Sequence, residues 1–81
     1  MSIWTLKDQL ATLERQKDKL NNEVVELLAI KDLLKTYDEN TEVWVYSHTL
    51  FDGYINVYAQ FDGGNTKMYF FDEKQKLIGC K

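Results

Sequence analysis

Few side chains in this sequence could carry covalent or metal chemistry, and their spacing limits what they can do. His48 is the only histidine and Cys80 the only cysteine. A Cys-His pair would need Cys80, next to the last residue of the sequence, held beside His48 and an oxyanion site, and a chain end is a poor place to pre-organise a nucleophile. A zinc site takes four ligands, mostly Cys and His, so this chain would have to supply the remainder with carboxylates. His48 therefore reads as a hydrogen-bonded strand residue, and Cys80 as the filler of a strand position. Phe-Asp recurs every ten residues, at Phe51-Asp52, Phe61-Asp62 and Phe71-Asp72. Calcium needs six or more converging oxygens. Successive turns of a meander lie at opposite ends, so Asp62 is expected a strand length from Asp52 and Asp72, and the motif reads as turn punctuation. We expect no catalytic residue, no metal and no cofactor, hence no enzyme.

The aromatic residues with polar tips say more. From Glu42 onward the side chains alternate in character, which separates two faces of a sheet. Val43, Val45, Ile55, Val57, Ala59 and Phe61 form an aliphatic face suited to a core. The other parity holds Trp44, Tyr46, His48, Tyr54, Asn56, Tyr58 and Gln60, with Tyr69 expected beside them on the third strand. Rings bury large area at small rotamer cost, while hydroxyl and indole groups make directed hydrogen bonds, so such a face suits a partner. Trp44, Tyr46, His48, Tyr54, Tyr58 and Tyr69 are the candidate partner-binding residues. The plainer alternative is cross-strand covering of a solvated face, or packing against a second subunit.

Those strands are expected over Glu42 to Leu50, Tyr54 to Phe61, Lys67 to Asp72 and Lys76 to Cys80. Turns are marked by Asp52-Gly53, by Asp62-Gly63-Gly64-Asn65 and by Asp72 to Gln75. Connections this brief fit an antiparallel meander of three to four strands, not parallel crossovers.

Before the strands, apolar residues recur at steps of three and four: Ile3, Leu6, Leu10, Leu13, Leu20, Val24, Leu27 and Leu34, interrupted at Lys17 and Lys31. Sustained without Pro or Gly, this is a coiled-coil pattern, and it predicts one long helix over residues 2–37, about 50 Å at 1.5 Å per residue. Those eight residues are then an oligomerisation seam. Thr5 with Asp8 can cap the helix start. Asn21-Asn22 is the weak point, where the chain could instead fold back as a helical hairpin. The expected fold is α+β in one domain over 1–81, with the long helix first and the sheet at 42–80.

Charge is balanced along the chain, six basic against eight acidic residues in 1–41 and four against five in 42–81. Nucleic-acid binding, which needs a concentrated basic face, is disfavoured. One cysteine fits a reducing compartment, and no apolar run reaches the length of a membrane span, so a soluble cytoplasmic protein is expected. In its Lys, Asp, Asn and Tyr richness and small size the chain resembles accessory proteins of bacteriophages, which bind and block host factors. The resemblance lies in composition and size and in no motif. It implies an inhibitor that acts on a host factor; with the helical seam and the aromatic face, the expectation is a non-enzymatic adaptor or inhibitor that self-associates through its helices as a homodimer or higher oligomer and binds another protein. Two alternatives stand beside it: a structural protein in which the coiled coil is the working part, and a nucleic-acid binder using the aromatic face.

Overall fold

The computed structural model describes residues 4–15, 20–61 and 63–81. Two helices, α1 (Leu6–Arg15) and α2 (Asn21–Leu33), precede four strands: β1 (Val43–Thr49), β2 (Ile55–Phe61), β3 (Thr66–Phe71) and β4 (Leu77–Cys80). The strands form one antiparallel sheet in the order β1-β2-β3-β4. Their register places Val45 opposite Ala59, Tyr46 opposite Tyr58 and Val57 opposite Tyr69.

The α+β character and the antiparallel meander of the sequence reading hold, but the long coiled-coil-type helix does not exist. The longest dimension of the molecule is 33 Å, too short for a helix of about 50 Å. Helix α1 is described to Arg15, Leu20 is extended with φ of −71° and ψ of 159°, and α2 starts on Asn21. The asparagine pair thus opens a helix instead of turning the chain. Asn22 faces the sheet, where its Nδ2 donates to Ser47 Oγ at 3.0 Å.

Why the heptad misled is visible in which residues are buried. Leu6 and Leu13 of α1 pack into one core with Val25, Ala29, Ile30 and Leu33 of α2. The buried set of α2 lies on a different face from the heptad series of Val24, Leu27, Lys31 and Leu34, none of which is fully buried. Because α2 is apolar around most of its circumference, the sheet can select a different face from the one the heptad marks. Of the eight seam residues, Leu6 and Leu13 are buried in the chain's own core, and Leu10, Val24, Leu27 and Leu34 are partly buried. Leu20 is 69% exposed. Ile3 and Lys17 lie outside the described residues, and Lys31 is exposed, not at a core position. The long helix expected to carry the seam is absent, and its described residues fall in different environments.

The inner sheet face supplies the rest of the core: Val43, Val45, Ile55, Val57 and Ala59, joined by Tyr69 and Phe71 of β3. The helix start is capped as expected, the Asp8 N–H donating to Thr5 Oγ1 at 3.2 Å. Asp52 and Asp72 serve their turns: Oδ1 of Asp72 accepts from the N–H groups of Lys74 and Lys76, both at 2.9 Å, and Oδ1 of Asp52 accepts from that of Tyr54 at 3.2 Å. Gly53, at φ +91°, makes the first hairpin turn; a Cβ there would approach the Glu73 Cβ to 3.3 Å. Asp62 lies outside the described residues.

An open strand edge invites pairing with other chains, and β1 has half of its edge closed by α1 and the segment before it. The Val43 N–H donates to the Trp4 carbonyl at 3.0 Å. One turn into α1 the Gln9 side chain continues the ladder: its amide N–H donates to the Val43 carbonyl, and its Oε1 accepts from the Val45 N–H at 3.0 Å. A single side-chain amide thereby stands in for the peptide group of a fifth strand.

Candidate functional site: the outer aromatic face

With α2 lying on the inner face of β1 and β2 and α1 packed beside it, the alternate residues of the strands point to the opposite face. There Trp44, Tyr46 and His48 of β1 meet Tyr58 of β2 in one contiguous patch. The Tyr46 and Tyr58 rings, directly opposite in register, stack at 5.3 Å between centroids and 17° between planes. Trp44 leans on Tyr46 at 5.3 Å, and His48 meets both tyrosines nearly edge-on, at 5.8 Å and 5.6 Å. Cross-strand aromatic pairs contribute to sheet stability, so the patch is rigid before anything binds it. Trp44 is 61% exposed, a large area of indole left in water on an otherwise neutral face. Asn56 and Tyr58 stand opposite Phe70 and Met68 of β3, which extend the patch across a third strand.

Not all the expected site residues join it. Tyr54 is exposed at the turn before β2 and makes none of the ring contacts found among the described residues. Tyr69 belongs to the inner face: it is fully buried, and its hydroxyl donates to Asp32 Oδ2 of α2 at 2.9 Å. Burial first, and then that hydrogen bond to a carboxylate, raise the Tyr69 pKa and keep the phenol protonated. Its role is to tie β3 to α2. The sequence assigned it to the wrong face because Met68 to Phe71 are four apolar residues in a row, which show no alternation.

Sequence reasoning also missed a cleft beside the patch. It has a volume of 170 Å³ and opens between the Trp4 segment, α1, α2 and β1. Leu13 and Val45 form its apolar floor, Gln9 and Thr12 come from α1, and Trp44 borders both cleft and patch. Glu26 of α2 is its ionisable group. Burial, and secondarily the nearby charge of Glu23, raise the Glu26 pKa, against the opposing pull of a hydrogen bond from the Ser47 hydroxyl. Nothing local in the sequence distinguishes Trp4, Gln9 or Glu26; only the fold brings them together.

Among the described residues no group of three or more His, Cys, Asp and Glu side chains converges as a metal site would require. No described helix is long and apolar enough to cross a membrane. Comparison of the chain with protein-family models, with curated proteins and with solved structures finds no match.

Proposed function

We propose that this chain is a non-enzymatic interaction protein, an adaptor or inhibitor, that binds another protein through the outer face of its sheet. The observation that carries this reading is the patch of Trp44, Tyr46, His48 and Tyr58: rings preassembled across two strands, partly in water, on the face away from both helices. Rigid aromatic residues at the centre of a surface are what protein interfaces use as anchors. The outer positions of β1, β2 and β3 include no Lys or Arg. Attraction to phosphate backbones would need them there, which favours a protein over nucleic acid.

Trp44→Ala, Tyr46→Ala and Tyr58→Ala together test the reading. With the fold retained by circular dichroism, the triple variant is expected to lose the partner that the wild-type chain captures. Unaltered capture, or a wild-type chain that captures no protein, overturns it. A homo-oligomer on this same face is the competing occupant, and light scattering across a concentration range separates it as a mass that is a multiple of 9.6 kDa.

A further inference from the structure

The cleft at the margin of the patch has the composition of a site for a cation. Its charged group is held by a chain of hydrogen bonds: the Ser47 hydroxyl donates to Glu26 Oε2 and accepts from Asn22 Nδ2 at 3.0 Å, while Asn22 Oδ1 accepts from the Thr49 hydroxyl at 2.9 Å. Two strand residues and one helix residue thus position a single carboxylate. Among the described residues no Lys or Arg pairs with it, and Glu23, three residues earlier on α2, has one carboxylate oxygen buried without a hydrogen-bond partner. Among the described residues two carboxylates thus stand without an opposite charge in a half-buried place, where an incoming cation gains more than it would in open water. The walls fit the same ligand. Trp4 and Trp44, the two tryptophans of the chain, both line the cleft, and indole faces attract cations. At 170 Å³ the space falls below the roughly 300–1,000 Å³ of pockets for drug-sized ligands and suits one long side chain.

We propose that this cleft receives the cationic end of a lysine or arginine side chain presented by the protein that lies on the aromatic face. The charged group pairs with Glu26 between the indoles, and the alkyl stem runs over Leu13 and Val45. The proposal rests on the reading of the outer face as a protein-binding surface and adds the chemistry of the partner. Trp44 joins the two regions, touching Tyr46 at 5.3 Å on one side and lining the cleft on the other. The net charge of −3 and pI near 5.0 complement a basic partner.

The test uses the full chain and two blocked tripeptides, acetyl-Gly-Lys-Gly-amide and its norleucine counterpart, which keeps the stem and lacks the charge. Because both tryptophans border the cleft, intrinsic fluorescence reports occupancy. The lysine peptide, and an arginine peptide in its place, are expected to give a saturable change in the millimolar range, and norleucine none. Glu26→Gln, which retains an acceptor for Ser47, is expected to weaken the lysine peptide about tenfold, as loss of a charge-assisted contact does. Glu73→Gln, which removes an exposed carboxylate of the turn before β4, outside both cleft and patch, is expected to leave it unchanged. Equal response to lysine and norleucine, no response to lysine, or undiminished binding by Glu26→Gln overturns the cation site. None of those results touches partner capture by the aromatic face, whose loss in the triple alanine variant is read separately. If instead Glu73→Gln weakens the lysine response as much as Glu26→Gln does, the response follows net charge and the cleft assignment is wrong.

Discussion

Leu13 and Leu20 occupy equivalent positions in the heptad series and opposite environments in the folded chain. Leu13 is 8% exposed between α1, α2 and the sheet, whereas Leu20 is 69% exposed at the start of α2. Truncating a buried leucine to alanine costs about 2–5 kcal/mol, and the residual exposure of Leu13 puts Leu13→Ala in the lower half, about 2–3 kcal/mol. An 81-residue domain has a total stability of roughly 4–12 kcal/mol, so this is a substantial fraction of it. At about 4–8 °C per kcal/mol for a domain of this size, Tm falls by roughly 10–20 °C. Leu20→Ala removes a side chain that is mostly in water and stays within about 0.5 kcal/mol, a shift of a few degrees at most. Thermal melts followed by far-ultraviolet circular dichroism, with urea midpoints as a check, measure both. In a two-stranded coiled coil the two substitutions would cost alike, and Tm would rise with protein concentration. Similar losses at the two positions would therefore refute the packing of α1 against α2 and the sheet described above.

Three further substitutions probe how the site is held. Tyr69→Phe deletes the hydroxyl that donates to Asp32 at 2.9 Å and is expected to lower stability by about 1–2 kcal/mol in urea melts, with the sheet intact. Gln9→Ala reopens the edge of β1 and removes two hydrogen bonds, about 1–3 kcal/mol together; hydrogen exchange should quicken first at the Val45 amide, which Gln9 covers. Glu26 has its pKa raised in the folded chain, chiefly by burial. The folded state then holds that proton more tightly than the unfolded one, so its contribution is most favourable below the unfolded value and is lost as pH rises through the folded one. The stability of Glu26→Gln relative to wild type is accordingly expected to improve from pH 4 to pH 7, and a difference independent of pH would contradict the burial of the carboxylate.

Parity and turn chemistry made much of the sheet readable in advance. Val43, Val45, Ile55, Val57 and Ala59 alternate with polar or aromatic residues, and Asp-Gly sequences stand between the strands, so local rules and the fold agree there. Agreement fails where the local pattern is degenerate. Helix α2 carries apolar residues on nearly every side, so a coiled-coil phase and a core phase coexist in one segment, and only contact with α1 and the sheet chooses between them. The run from Met68 to Phe71 is degenerate in the same way, which hid the inward orientation of Tyr69. The cleft was unreadable for another reason. Gln9 and Val45 are 36 residues apart, and a polar residue on a polar-looking helix gives no sign that it will close a strand edge.

The central claim, that the outer sheet face is where a protein partner sits, is tested most directly by photocrosslinking from that face. A benzophenone-bearing residue in place of Gln60, exposed and opposite Trp44 in register, would be compared with the same residue in place of Glu14 on the exposed side of α1. The account predicts a covalent adduct with the captured partner from position 60 and none from position 14. An adduct formed from position 14, with none from position 60, would place the partner on the helices and contradict it.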